Sequence, residues 1–398
     1  MDSLNKVKRL YFADALRVAV ILSLIPFHTS ITYTGNGDVY VYDPAVVAHY
    51  LDRSVEAGIN AIPLDLFVDL LDNFFMPLLF LISGIATFFS LAQRTPSHFI
   101  IERLNKLLIP LGAGMLLVIP LMSYIRNINL HGFNGSFFAF YPLFFNGLRG
   151  SVPGGNLEWA HLWFLAYLFT FTMLALPLFL TLKRDEPQKF LARISRDSYL
   201  LLPLALMLPL ECLFRPGWPG FLNLYNDWAN FSFFLLFFIS GYLLAASPHL
   251  FVKLKTRWVA LVATGLFFYA AKLALWNLFS FAYGYNMGTI AAIACRTIAA
   301  YFLVTGIAGC AYRYLNRESP SLRYLNNASF GVYIFHLIPV TVIGYFLISL
   351  QLHYYLKFAL TVLISFLVVF AIYEIVRRVP GLRFLFGLKG PGYDKIPR

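Results

Sequence analysis

YFADALRVAVILSLIPFHTSITY, residues 11–33, is apolar and long enough to cross a bilayer as one helix, yet it carries arginine at position 17 and histidine at position 28. On a helix the two lie about three turns apart, about 16 Å along the axis, on nearly the same face. Ionisable groups inside a membrane helix are costly, so by default they face the bundle interior and mark function. Taken singly, Arg17 is explained by snorkelling to the inner surface and His28 by an interfacial hydrogen bond. Their matched phase favours a functional stripe of one fixed cation and one titratable base. Pro26, two residues before His28, removes a helix bond and can bend the chain beside the imidazole. Asp14, three residues before Arg17, is placed for a local ion pair. The run has a basic start (Lys6, Lys8, Arg9), but Arg17 and His28 interrupt it and no small-x-small site follows, so it does not read as a cleaved signal.

The rest of the chain has the same character. Of 398 residues 59% are hydrophobic, and the charged share, 13%, is about half that of soluble proteins, which excludes a soluble domain of this size. Apolar runs at about 11–33, 66–92, 107–125, 160–182, 198–214, 229–247, 257–278, 290–312, 327–350 and 355–376 predict an all-α, polytopic membrane protein with ten transmembrane helices, forming a single integral-membrane domain over residues 1–398. With the N-terminus inside, the outer connections hold only Arg53, Arg126, Arg149, Arg215 and Lys357 of the 31 basic residues. That bias predicts both termini in the cytoplasm of a cell bounded by this membrane, the plasma (bacterial inner) membrane. It also accounts for the net charge of +12 as a topology signal, so no nucleic-acid partner is expected; membrane lipids are. Cys212, Cys295 and Cys310 lack CxxC spacing and adjacent histidines, so neither a disulfide framework nor a metal site is expected. No GxSxG, P-loop, HExxH or Rossmann pattern is present.

Further residues join the candidate site. A near-neutral imidazole at His28 can take a proton from a hydroxyl and return it to a leaving group. His161 opens the fourth run in HLWFL (161–165), at or just above the expected depth of His28. His336 lies mid-run in SFGVYIFHLIP (329–339), with Ser329 and Tyr333 on its face; a structural and a substrate-contacting role are both open. Arg103 and Lys106, in FIIERLNKLLIP (99–110), share a helical face at the inner boundary and can grip phosphates, although ordinary inner-flank charge explains them as well. Lys272 and Arg296, in the outer parts of the seventh and eighth runs, either snorkel or join His28 and His161 in a cationic zone that favours an anionic substrate or an oxyanion. Asp69 and Asp72, three apart on one face at the start of the second helix, either orient a histidine as a carboxylate partner or, as favoured, cap the outer helix end. LLFLISG (78–84) and LLFFISG (235–241) echo one another, as small-residue packing sites or as a trace of duplication.

Arg17-x10-His28, MPLLFLISG (76–84), the basic pair Arg103 and Lys106 between Phe99 and Pro110, HLWFL and SFGVYIFH (329–336), in this order, resemble the acyltransferase family 3 membrane proteins over nearly the whole chain. The resemblance implies that the arginine and histidine of the first helix are essential, with His28 the base. It implies transfer of an acyl group from cytoplasmic acyl-CoA to a hydroxyl of an extracytoplasmic glycan or lipid-linked sugar. In that family the inner basic pair is usually two arginines; Lys106 departs from this, and lysine is a point charge that cannot fork onto phosphate. The form of MPLLFLISG and the size look most like the branch containing the glucan biosynthesis protein C group, which succinylates periplasmic glucans; acetyl transfer stays open. The competing class is a secondary transporter or flippase, whose mark would be an inverted repeat with helices broken at midplane.

Overall fold

In the computed structural model of the chain, residues 10–34, 40–43, 63–149, 154–183, 201–279 and 281–391 are described. Among them the regular elements are helices, with one isolated bridge between Leu148 and Leu157. This is what lipid demands of apolar runs, since every backbone polar group must find its partner within the segment. The helices are α1 (Tyr11–Thr34), α2 (Pro63–Ala92), α3 (Pro96–Arg103), α4 (Ile109–Leu117), α5 (Ile119–His131), α6 (Phe137–Phe140), α7 (Trp163–Leu182) and α8 (Leu202–Phe214). They continue as α9 (Trp228–Ala246), α10 (Pro248–Leu278), α11 (Met287–Tyr314), α12 (Pro320–Phe335), α13 (Leu337–Ile348), α14 (Tyr354–Val376) and α15 (Pro380–Leu385).

Among the described residues eight helical stretches are long and apolar enough to cross a membrane, and the bent pair α12–α13 makes nine. Each of the ten expected runs holds helix. The fifth, however, is the 13-residue α8, about 20 Å long by its rise per residue against a hydrocarbon core of about 30 Å. The third is longer than its apolar run, reaching from Pro96 to His131 through a π turn at Leu104–Leu108. Asp69 and Asp72 lie beyond the first turn of α2, which starts at Pro63, rather than at its cap. The basic residues Lys6, Lys8, Arg9, Arg184, Lys189, Arg193, Arg196, Lys395 and Arg398, and Asp38, Asp52, Arg53 and Glu56 of the connection after α1, lie outside the described residues.

Only 17% of the apolar window of α10 is buried, and Val259, Leu266 and Phe267 stand exposed along it. On a soluble monomer such a stripe would be a liability; on a membrane protein it is the surface that lipid covers.

The chain divides into two compact units. The first comprises Met1–Arg17, Leu70–Arg103 and Tyr167–Leu322; the second comprises Val18–Asp69, Leu104–Ala166 and Arg323–Arg398. In the first, the two ISG motifs meet. A Cβ on Gly84 would overlap the carbonyl oxygen of Phe238, and one on Gly241 would overlap that of Leu81. The echo is therefore a reciprocal small-residue crossing of α2 and α9. Tyr242, one residue on, stacks on Phe179 at 3.7 Å and donates to its carbonyl at 3.2 Å. In the second unit Gly344 of α13 packs on Thr32 of α1, bringing these helices together beside His28.

Candidate active site

Proline sets the local backbone of the second unit. Pro26 cannot donate to Leu22, while Thr29 and Ser30 turn their hydroxyls back to the carbonyls of Ile25 and Pro26, each at 2.8 Å. His28, half-buried, follows on this modified turn, with Phe27 edge-on at 5.1 Å. Pro339 acts more strongly. It cannot donate to the carbonyl of Phe335, and its ring crowds that carbonyl. The helix accordingly breaks at His336, between α12 and α13, with a bend of 54°. The ninth run was expected to be one helix; the break is the finding, and His336 sits at its corner.

His336 is fully buried, and its Nδ1 lies 2.7 Å from the carbonyl oxygen of Tyr333. A carbonyl only accepts, so Nδ1 carries the proton and Nε2 keeps a bare lone pair. That Nε2 is buried with no hydrogen-bond partner among the described residues. His161 is held in the opposite tautomer. Its Nε2 donates to the carbonyl of Ile334 at 2.9 Å, leaving Nδ1 as the bare nitrogen, also buried and without a hydrogen-bond partner there. Tyr333 returns a hydrogen bond from its hydroxyl to the carbonyl of His161 at 2.6 Å. The residue before His161, Ala160, has φ +46°, a left-handed conformation that side chains avoid, and it opens the one-turn 3-10 helix Ala160–Leu162.

The three rings form a row. The His336 centroid lies 5.2 Å from that of His28 and 4.9 Å from that of His161. Two members are tautomer-locked imidazoles; the third, His28, lines a small, partly open cleft. Ile31 and Thr32 of α1, Tyr40 and Val41, and Leu337, Val340 and Thr341 of α13 complete its wall. A small cleft edged by the hydroxyls of Thr32, Tyr40 and Thr341 and by a base suits a single hydroxyl group of a substrate. Beside the Tyr40 wall, Arg126 and Arg149 close on Glu158 at 2.6 and 2.8 Å, Ser123 adds a bond at 3.0 Å, and the Arg126 guanidinium lies 5.2 Å from the Tyr40 ring. The three histidines are not arranged as ligands: among the described residues no group of three or more His, Cys, Asp or Glu side chains is placed to hold a metal ion.

The first unit holds a different constellation. Arg17, half-buried, pairs with Asp14 at 3.5 Å. Arg94 pairs with Glu102 at 2.8 Å, and Arg103 lies over the Phe99 ring at 4.8 Å. Arg103 is close enough to Arg17, Arg94 and Glu102 for each to act on its charge. Nothing in the sequence singles out Arg94; in the fold it belongs to a cluster of three guanidinia. Lys106 is exposed, in the second unit, on the π turn. A π turn closes its hydrogen bonds over five residues rather than four, so Lys106 does not follow Arg103 on a regular α-helix.

Lys272 and Arg296 also lie in the first unit, while His28 and His161 lie in the second. Lys272 is over the Tyr269 ring at 5.5 Å. Arg296 donates to Glu211 at 3.1 Å, and Arg215 holds the other oxygen of the same carboxylate at 3.0 Å. Glu211 is fully buried and Arg215 extends to Asn230 at 2.8 Å. In the sequence Glu211 is a carboxylate near the end of the fifth run. Its i, i+4 spacing to Arg215 is the available signal for a pair.

Comparison with known proteins bears on what these groups do. The acyltransferase 3 family model, described as an acyltransferase domain, matches residues 10–374. Glucans biosynthesis protein C of Escherichia coli O1:K1 / APEC is 25% identical over 401 residues, covering 96% of this chain and 95% of the relative. The protein of the same name from Escherichia coli strain K12 matches with the same identity and coverage. No solved structure matches.

Proposed function

This chain belongs to the acyltransferase 3 family and is a membrane acyltransferase, and from that premise we propose that it moves a succinyl or acetyl group from cytoplasmic acyl-CoA to a hydroxyl of an extracytoplasmic glycan or lipid-linked sugar. We place it in the plasma (bacterial inner) membrane, as one catalytic domain with ten crossings and both termini in the cytoplasm.

The observation that carries this reading is the row of histidines, in a chain similar to proteins named for glucan biosynthesis. In the proposed step, neutral His28 takes the proton of the acceptor hydroxyl as its oxygen attacks the thioester carbon. The carbon–sulfur bond then breaks, and the thiolate leaves with the proton that His28 returns. General base catalysis of this kind contributes roughly 10²–10⁴ in rate. His161 supports His28 through His336, and His336 is proposed as a substrate contact reached only when the cleft beside His28 opens. Arg17 and Arg103, joined by Arg94, hold the donor's phosphates, and Lys106 is proposed to add its charge to the same grip. Lys272 and Arg296 are proposed to read an anionic acyl group or acceptor.

The break at His336 is a feature that secondary transporters share, so the test must separate the two classes. Membranes containing the protein are given radiolabelled succinyl-CoA or acetyl-CoA together with glucan. Covalent label on the glucan supports acyl transfer. Movement of unmodified glucan, with the label remaining on CoA, contradicts it.

A further inference from the structure

One buried ion pair in the second unit takes no part in the chemistry above. Lys357, in the first turn of α14, is 5% exposed, and its Nζ lies 2.7 Å from Oδ2 of Asp43, itself 2% exposed. The same Nζ donates to the carbonyl of Ile348 at 3.0 Å. Burying two charges costs desolvation energy that their attraction often fails to repay, so such a pair is a weak argument for stability and a better one for fixing position.

What it fixes is the segment Tyr40–Asp43. This segment belongs to no helix or strand, and its anchors include the following. The Asp43 N–H donates to the carbonyl of Thr32 at 3.1 Å, the Tyr42 N–H reaches Oδ1 of Asn129 at 3.4 Å, and Arg126 lies over Tyr40. The Asp43–Lys357 bond is the shortest of these and joins the segment to α14. Tyr40 and Val41, at its other end, form one wall of the cleft on which His28 opens.

We propose that Asp43 and Lys357 are positioning residues that hold Tyr40 and Val41 against His28, and that this wall sets the choice between the glycan hydroxyl and water as acyl acceptor. The proposal rests on the reading of His28 as the base. With the wall displaced, water takes the acceptor's place. Its oxygen bonds to the thioester carbon, its proton passes to His28, the carbon–sulfur bond breaks, and the thiolate leaves with that proton, giving free acid and CoA. Excluding water is what a closed acyl-transfer site needs.

The test uses the full-length protein in proteoliposomes, with Lys357→Met and the double variant Asp43→Asn/Lys357→Met. The double variant leaves no unpaired buried charge and keeps the test available if the single variant fails to insert. Acceptor KM and kcat are measured with glucan, and CoA release is measured without it. Separately, Val41→Cys is introduced with Cys212, Cys295 and Cys310 replaced by serine, and its labelling by a membrane-impermeant maleimide is timed with and without the pair. The expected result is an acceptor KM raised roughly tenfold or more with a smaller change in kcat, CoA release without glucan raised by a similar factor, and faster labelling of position 41. Unchanged labelling overturns the proposal, as does faster labelling with wild-type KM and CoA release. A wild-type protein that leaves glucan unlabelled sinks the acyl-transfer reading and the acceptor choice with it; labelling then decides alone whether the pair holds the segment.

Discussion

His336 and His161 hold opposite tautomers against neighbouring carbonyls of one helix: His336 donates from Nδ1 to Tyr333, and His161 donates from Nε2 to Ile334. Each thereby commits its only N–H to the backbone and keeps a bare, buried nitrogen within a row that ends at His28. A lone pair held this way needs no reorganisation when a proton approaches, which is how preorganised polar groups favour a transition state.

His336→Asn can keep a donor near Tyr333 but loses the basic nitrogen. The expected outcome is a fall in kcat of roughly 10²-fold with donor KM little changed, in steady-state assays with labelled donor. Wild-type kcat in this variant would remove His336 from the site.

Pro339→Ala restores the N–H that the carbonyl of Phe335 lacks, and so favours a straighter α12–α13. Activity should fall by roughly 10²-fold, because His336 leaves its corner, while thermal stability in detergent stays level or rises. Full activity with a straightened helix would show that the bend is incidental.

Gly84→Ala places a methyl group against the carbonyl of Phe238, backbone that cannot swing aside. It should destabilise the protein by about 1–3 kcal/mol, read as a lowered unfolding midpoint in detergent. Gly112→Ala is the control, since nothing lies within reach of its added Cβ.

Glu211→Gln leaves Arg215 and Arg296 without their shared carboxylate. Removing one partner of a buried pair costs about 3–5 kcal/mol, so this variant should be poorly recovered from membranes and unfold early. Arg94→Ala, by contrast, should raise the KM for acyl-CoA while leaving that for glucan unchanged, because its proposed role is confined to the donor's phosphates.

The membrane class and the helices are readable in the sequence because hydropathy is a local property, and lipid leaves an apolar run little choice but helix. The helical spacing of Arg17 and His28 is readable for the same reason, and α1 is continuous through both. What is not readable depends on distant partners or on backbone exceptions. Nothing in HLWFL or SFGVYIFH states that His161 reaches the carbonyl of Ile334. The left-handed Ala160 has no sequence signature at all. The break at His336 does have one, in Pro339 three residues later, but a proline inside an apolar run can also be absorbed within a continuous helix, as at Pro26. The π turn hides in the same way behind Pro110. Arg94 and Glu211 take their meaning from charged partners, Glu102 for the one and Arg215 and Arg296 for the other, and which partners meet is decided by the tertiary fold.

The most direct test is His28→Ala, purified in the amount and folded state of the wild type, given acyl-CoA and glucan, with the glucan then analysed by mass spectrometry. The account predicts acylated glucan from the wild type and none above background from the variant. Wild-type levels of acylated glucan from His28→Ala would contradict it.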